Sequence, residues 1–191
     1  MIDFTLILET DQIQLRPLRK TDLPRLAELT GDASMWIYFT SDLSVPAVLE
    51  QWVEEAVQET ALRKRLAFAI VEKKDGQLIG STSFGNISSR DKRVEIGWTW
   101  IGKSYQGTGV NDQIKYLMLK YCFETIGFER AELKTDVLNI PARKALKRIR
   151  LIEEGILRSH TLMTHDRRRD TVFYSLLRSE WNNVKARNNW L

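Results

Sequence analysis

The chain has 191 residues, of which 43% are hydrophobic and 28% are charged, with a net charge of +4 and one cysteine. This length and composition fit one globular domain and exclude a largely disordered chain, and a single cysteine excludes an internal disulfide framework. No apolar run is long enough to cross a bilayer, and the N-terminal apolar stretch lacks the basic flank of a secretory signal. We therefore expect a cytoplasmic protein without a membrane partner, with one domain over 1–191, a core of about 10–182 and a short C-terminal tail.

The first third of the chain predicts a strand followed by two helices. Residues 13–18 alternate like a strand, and residues from 22 to about 30 suit a short helix. From 48 to 57 apolar residues recur at helical spacing with glutamates on the opposite face, which indicates an amphipathic helix. The loop between these helices is aromatic and suits either an acceptor pocket or the core. It contains Trp36, Tyr38 and Phe39.

The middle of the chain predicts an antiparallel meander. Residues 66–72 and 78–84 have the composition of strands and flank Asp75-Gly76, which is a strong hairpin-turn signal. A third strand, at about 93–101, extends the same meander.

A glycine turn, from Gln106 to Asn111, follows this third strand and precedes an amphipathic helix over 112–126. Unpaired backbone N–H groups at the positive end of a helix bind phosphate without a charged side chain. The turn lacks the third glycine of a dinucleotide-binding fingerprint and the Gly-Lys-Ser/Thr of a Walker loop. The glycines alone fit a phosphate site and a purely structural turn equally well.

The last third of the chain predicts a strand over 130–137, a short helix over 141–149, and two strands near 151–160 and 170–178. This mixed order of elements disfavours a doubly wound parallel sheet. We predict an α/β fold of the α+β type, with a mixed sheet of about seven mostly antiparallel strands and about four helices. The three arginines at 167–169 are predicted to lie at a solvated hairpin tip, where they would suit an acidic surface or nucleic acid.

Five short motifs occur in order along the chain and cover most of it. They are Glu95-Ile-Gly97-Trp98, Gln106-Gly-Thr-Gly109, Asn139-Ile-Pro-Ala142, Glu154-Gly155-Ile-Leu-Arg158 and Asp170-Thr-Val-Phe-Tyr174-Ser-Leu-Leu-Arg-Ser-Glu180-Trp181. By these motifs the sequence resembles the GNAT superfamily of acyl-CoA N-acyltransferases, and within it the RimJ/RimL-type branch. The resemblance implies a GNAT-like fold, acetyl-CoA as cofactor, and acetyl transfer to a primary amine by direct attack in a ternary complex.

The resemblance also implies which residues hold the coenzyme. The N–H groups of the glycine turn would bind the pyrophosphate, and the edge of the 94–101 strand would pair with the pantetheine arm. The implied cofactor-binding residues are Trp100, Ile101, Gln106, Gly107, Thr108, Gly109, Val110, Asn111, Asn139 and Lys144. Asn139 equally suits an ordinary helix N-cap, and a basic helix face such as that around Lys144 is more often a solvated surface.

Catalysis of amide formation needs a base for the amine and a proton for the leaving thiolate. Glu95 is the best candidate for the base, although it equally suits a cross-strand partner of a lysine or arginine. Family members carry a hydroxyl at the positions of Ala142 or Leu146, and both are apolar here. The thiolate must then take its proton from solvent or from another residue. No cluster of histidines and cysteines with ligand spacing predicts a metal site.

Several alternatives stay open at this point. The acceptor amine is either a protein N-terminus, such as that of a ribosomal protein, or a small molecule such as a polyamine, an antibiotic or an amino acid. The apolar Ala142 and Leu146 also allow a non-catalytic acyl-CoA-binding module. A basic nucleic-acid-binding protein is a third, disfavoured class, since the mild basic excess is compatible with a polyanionic ligand but does not point to one. A homodimer is compatible with the sequence.

Overall fold

The structure is a computed structural model that describes residues 2–190, apart from the side chain of His165. Eight strands and five α-helices form within these residues. The strands are β1 (Leu8–Glu9), β2 (Ile13–Pro17), β3 (Leu66–Glu72), β4 (Leu78–Ser88), β5 (Arg93–Ile101), β6 (Arg130–Asp136), β7 (Ile152–Leu162) and β8 (Arg168–Leu177). The helices are α1 (Leu23–Thr30), α2 (Pro46–Ala61), α3 (Val110–Lys120), α4 (Ile140–Arg148) and α5 (Trp181–Arg187).

The strands form one mixed sheet in the order β1-β2-β3-β4-β5-β6-β8-β7. Every neighbouring pair is antiparallel except β5 and β6, which are parallel. The predicted mixed, mostly antiparallel sheet is confirmed, and Asp75-Gly76 lies in the turn between β3 and β4, where Gly76 has a φ of +70°. No helix in the described range is long and apolar enough to span a bilayer.

Two elements were not predicted, β1 and α5. A strand of two residues is too short to produce a periodic pattern. The segment expected to be a C-terminal tail instead forms α5, because Trp181 is buried against Phe123 and donates from Nε1 to Glu124 Oε1 at 2.7 Å. These contacts come from a distant segment, so sequence periodicity could not reveal them.

The two faces of the sheet carry separate hydrophobic clusters. One cluster includes the buried side chains of α3, and the other includes those of α1 and α2. Val94 and Ile96 of β5 pack in the α3 cluster, whereas Trp100 of the same strand packs in the α1–α2 cluster. In a regular strand these three residues would share one face, so β5 must contain an irregularity between them.

That irregularity is a β-bulge at Trp98. Between the pairs Ser81–Trp100 and Ser83–Gly97, one residue of β4 faces two residues of β5. Trp98 has a φ of +52°, which is a strained conformation for a bulky residue. A bulge bends its strand and reverses which side chains face each side of the sheet. The bulge therefore sets the direction of the second half of β5, which is not paired with β6.

The Trp98 ring lies directly over Gly85 of β4. A Cβ at position 85 would lie 2.4 Å from Cζ3 of that ring, so the ring would have to move. We expect Gly85→Ala to destabilise the fold by about 1–3 kcal/mol, as overpacking in a filled site does. Urea unfolding would measure the change. Gly31→Ala is the matched control, because no atom lies within 4 Å of a Cβ at that position; equal stability of the two variants would contradict the assigned contact.

Candidate active site

The parallel strands β5 and β6 are paired only at their first residues. Ladder pairs join Arg93–Glu95 to Arg130–Glu132, and the strands then diverge. A cavity of about 370 Å³ occupies the opening between them. Its walls are β5 from Glu95 to Thr99, β6 from Leu133 to Thr135, and the start of α4. The diverging strands leave the edge of β5 free to pair with an extended ligand.

The glycine turn leads from β5 into α3 with its backbone N–H groups unpaired. None of the five N–H groups from 107 to 111 donates a hydrogen bond to another described residue. Gly107 and Gly109 have φ values of +77° and +88°, which a glycine adopts without strain. A Cβ on either glycine would meet no protein atom within 4 Å, so it would point into the open space above the turn. This arrangement fits the binding of a pyrophosphate.

Local side-chain bonds hold the turn in this shape. Gln106 Nε2 donates to the carbonyl oxygen of Ile101 at 3.0 Å, and Thr108 Oγ1 donates to that of Tyr105 at 2.7 Å. The side chain of Val110 is buried in the α3 cluster, so only its backbone faces the turn. Gln106, Thr108 and Val110 therefore shape the turn, while its N–H groups remain available.

A second cavity, of about 390 Å³, lies over the glycine turn and joins the opening between the strands. Trp100, Ile101 and Asn111 line it, together with Gln106 and both turn glycines. The two cavities share five lining residues, which makes them one continuous groove. The shared residues are Phe39, Thr99, Asn111, Ala142 and Ala145.

Asn139 is the N-cap of α4 and also lines the opening between the strands. Its Oδ1 accepts a hydrogen bond from the backbone N–H of Ala142 at 3.1 Å. The cap uses only the oxygen of the side-chain amide, and no described residue accepts from its Nδ2 group. Asn139 can therefore cap the helix and donate into the groove at the same time.

Lys144 lies on the exposed side of α4 and lines neither cavity of the groove. The basic residue of α4 that does line the cavity over the turn is Arg148, one helical turn later. Its Nη2 lies 2.6 Å from Asp112 Oδ1 at the start of α3. The structure thus separates Lys144 from the other predicted cofactor-binding residues.

Glu95 is 4% exposed and lies at the narrow end of the opening. Its Oε2 accepts from Asn86 Nδ2 at 2.6 Å and from Lys134 Nζ at 2.9 Å. The cross-strand partner considered from the sequence is therefore present. Glu95 and Lys134 line the opening between the strands, and they also line a second, wider groove. The ion pair therefore lies between these two spaces.

The wider groove, of about 810 Å³, lies beyond this ion pair. It is lined by the N-terminal residues Ile2 and Phe4, by Arg63 and Lys64 after α2, and by residues of the strands from β4 to β8. Its size and position suit a molecule that approaches Glu95 from the side opposite the glycine turn.

The aromatic loop residues divide between core and groove. Trp36 is buried and packs edge-on against Trp100, with ring centroids 5.5 Å apart, so it belongs to the core. Tyr38 and Phe39 are half-buried and line the groove. The loop therefore contributes Trp36 to the core and Tyr38 and Phe39 to the lining of the groove.

The prediction that the three arginines occupy a solvated hairpin tip is wrong for two of them. Arg167 Nη2 lies 2.5 Å from Asp136 Oδ2, and Arg169 is 7% exposed and lines the opening. Arg169 donates to two threonine hydroxyls and has no carboxylate partner among the described residues. Only Arg168 is exposed. Successive side chains of β8 point to opposite faces, so Arg168 is exposed and Arg169 is buried. Three identical residues in a row show no such alternation in the sequence.

Lys115 is a second buried cation, and no sequence motif singled it out. It lies on α3, is 4% exposed and lines the opening between the strands. Its Nζ donates to Thr99 Oγ1 at 3.0 Å, and no described carboxylate lies within ion-pair distance. Burial lowers the pKa of Lys115 to about 7. The sequence held one indication that Lys115 lies at the site: it follows Asn111 by one helical turn and is adjacent to the buried Ile114.

Comparison with known proteins was consistent with this geometry. The profile of the "Acetyltransferase (GNAT) domain" matches residues 12–152, which is more than half of the chain. A relative from Bacillus subtilis (strain 168), named "Putative ribosomal N-acetyltransferase YdaF", is 28% identical over 184 residues, covering 92% of this chain and 96% of its own. The "Ribosomal-protein-serine acetyltransferase" of Escherichia coli (strain K12) is 22% identical over 151 residues, covering 78% of this chain and 84% of its own.

Solved structures show the same architecture. The crystal structure of a GCN5-related N-acetyltransferase from Brucella melitensis has a TM-score of 0.89 to this chain and is 26% identical in sequence. The match covers 97% of this chain and 85% of that one.

Proposed function

Because the chain belongs to the GNAT superfamily of N-acetyltransferases, and within it to the RimJ/RimL-type branch, we propose that it acetylates a primary amine with acetyl-CoA. The observation that carries the proposal is the continuous groove from the unpaired N–H groups of the glycine turn to the opening between β5 and β6. One end of the groove suits a pyrophosphate, and the other suits a thioester.

The coenzyme lies, in this proposal, along the groove with its pyrophosphate on the N–H groups of 107–111. The free edge of β5 pairs with the amides of the pantetheine arm, and Asn139 Nδ2 donates to the same arm. Arg148 is the α4 cation at the phosphate end. Bound acetyl-CoA supplies the activated acetyl thioester. The residues of the chain bind it and accept and donate the protons that the transfer requires.

The acceptor amine enters, in this proposal, from the wider outer groove and meets Glu95. The carboxylate lies between that groove and the opening, so it can take the proton that the attacking nitrogen loses. The Lys134 ammonium orients the carboxylate through the 2.9 Å bond.

The charges around the site favour a peptide N-terminus over a polyamine. The opening is lined by three cations and only one carboxylate; the cations are Lys115, Lys134 and Arg169. A polyamine would bring several positive charges into this field, whereas a peptide N-terminus brings one. Two of the relatives are named as ribosomal acetyltransferases, which supports a ribosomal protein N-terminus as the acceptor.

Thiol release from acetyl-CoA, measured across a panel of acceptors, tests this proposal. The panel should contain peptides that copy ribosomal-protein N-termini, the same peptides with blocked N-termini, and polyamines, aminoglycosides and amino acids. We expect turnover with free peptide N-termini and none with the blocked forms. Preferred turnover of a small amine would establish the alternative acceptor class, and coenzyme binding without turnover on any acceptor would support the non-catalytic alternative.

Glu95→Gln tests the base. We expect the variant to lose about 100-fold in kcat/KM at pH values where the acceptor is mainly an ammonium ion, because a general base contributes about that factor. The deficit should shrink as the pH rises and the amine becomes neutral without help. The pH dependence of kcat/KM for the wild type and the variant measures both effects.

Glu154→Gln is the matched control for this change. Glu154 also accepts from a cation and a side-chain donor, Arg130 and Ser175, but it lies on β7 outside the groove. We expect an unchanged pH profile for this variant. If Glu95→Gln behaves like Glu154→Gln, Glu95 has only a structural role in the ion pair with Lys134.

A further inference from the structure

The groove has no hydroxyl donor on α4. The α4 side chains that reach the opening between the strands are those of Ala142, Ala145 and Leu146, and none of them carries a proton that can be transferred. A nearby cation or proton donor would stabilise the thiolate as it leaves. Any such side chain lies on another wall of the opening.

Five titratable side chains line the opening, each from a different element. They are Tyr38 from the loop before α2, Glu95 from β5, Lys115 from α3, Lys134 from β6 and Arg169 from β8. Glu95 and Lys134 are bonded to each other, and an arginine does not release its proton in a protein. Tyr38 and Lys115 remain as candidates for the donor.

Lys115 lies where the two parts of the groove meet. Its hydrogen-bond partner Thr99 lines both cavities, and so does Asn111, which is one helical turn before Lys115. Tyr38 also lines the opening, but it is half-buried, whereas Lys115 is 4% exposed. Lys115 is therefore the buried one of the two candidate donors.

Glu95 and Lys115 approach the opening from opposite faces of the sheet. The neighbours of Glu95 on β5, Val94 and Ile96, pack towards α3, so Glu95 points to the other face. The bulge returns Thr99 to the α3 face, where it is bonded to Thr82 and Lys115. An amine arriving past Glu95 would thus find Lys115 on the far side of the carbon that it attacks.

We propose that the Lys115 ammonium stabilises the departing coenzyme A thiolate and gives it its proton. This inference rests on the proposed function. The acceptor nitrogen forms a bond to the acetyl carbon, the C–S bond breaks, and its electron pair moves to sulfur. An N–H bond of Lys115 breaks as the S–H bond forms. The proton lost by the acceptor nitrogen passes to Glu95 and then to solvent, and Lys115 regains a proton from solvent.

The environment of Lys115 suits this role. Burial without a carboxylate partner lowers the pKa of the ammonium to about 7, so it releases a proton far more readily than an exposed lysine. A cation beside sulfur also lowers the pKa of a thiol, because it stabilises the thiolate. The same contact should therefore be detectable in a binary complex, without any acceptor.

The test is a pH titration of coenzyme A bound to the protein, followed by the ultraviolet absorbance of the thiolate. The complex with desulfo-coenzyme A, which lacks the sulfur, supplies the baseline. Because the Lys115 amine and the bound thiol titrate as a coupled pair, we expect the thiolate absorbance of the wild type to appear at a lower pH than that of Lys115→Met. Lys120→Met, on the exposed side of the same helix, is the matched control and should titrate like the wild type.

Each outcome of this titration decides the inference. An unchanged thiol pKa in Lys115→Met overturns it, and so does a shift produced by Tyr38→Phe in place of Lys115→Met. If Lys115→Met does not fold, Lys115→Gln provides the same comparison. Failure of the wild type to bind coenzyme A would overturn the proposed function itself, and the inference with it. Normal binding with an unchanged titration would overturn the inference alone.

Discussion

Gly109→Val should reduce the affinity for coenzyme A by about 100-fold or more. The backbone at position 109 has a φ of +88°, and a Cβ there would occupy the space above the turn where the pyrophosphate is proposed to bind. A branched side chain would block close approach to several N–H groups at once, each a charge-assisted donor worth about 1.5–3 kcal/mol. Calorimetric titration of coenzyme A into the folded variant measures the loss.

Gly76→Val separates this effect from backbone strain. Gly76 also has a positive φ, of +70°, and a Cβ added there would also meet no atom within 4 Å, but it lies in the β3–β4 turn. Both variants should lose similar stability, of about 1–2 kcal/mol, because both force a branched residue into the left-handed region. Only Gly109→Val should lose affinity. Equal affinity of the two variants would remove the glycine turn from the coenzyme site.

Lys115→Met should stabilise the protein, most strongly at neutral and acidic pH. The pKa of Lys115 falls to about 7 in the folded state, below the value of about 10.4 for a lysine in an unfolded chain. Between these values the unfolded state binds the extra proton, so the wild type gains stability as the pH rises. Below pH 7 the full penalty is present, on the order of a few kcal/mol, and the methionine removes it.

Urea unfolding from pH 6 to pH 10 measures this difference. The stability gained by Lys115→Met should be constant up to about pH 7 and should then decline towards zero as the pH approaches about 10. Lys120→Met removes an exposed lysine from the same helix and should show no such trend. A destabilised Lys115→Met at pH 6 would mean that the hydrogen bond to Thr99 outweighs the cost of burying the charge.

An increase in the free energy of unfolding on Lys115→Met would also support a functional role for Lys115. A buried cation without a carboxylate partner costs folding free energy, and residues at catalytic sites often carry such a cost. The stability experiment and the thiol titration are independent, because the first requires no coenzyme. Together they would separate a lysine that is merely buried from one that acts on sulfur.

Local patterns predicted most of the secondary structure. The hairpin at Asp75-Gly76 and the helix over 48–57 follow from turn chemistry and periodicity, which act over a few residues. The glycine turn was recognised because positive φ values demand glycine at fixed places. The α5 helix was missed because it depends on Trp181 packing against a distant segment.

The amino-acid sequence by itself determined most of the elements, the glycine turn and the family, since each is encoded in residues close together in the chain. Only the tertiary structure decided which charges enter the site. It placed Arg148 and not Lys144 in the lining of the groove, turned Arg169 inward, and brought Lys115 to the opening. These placements depend on a bulge and on two strands that separate. A single register shift changes which side chains face the groove, and no local pattern reports it.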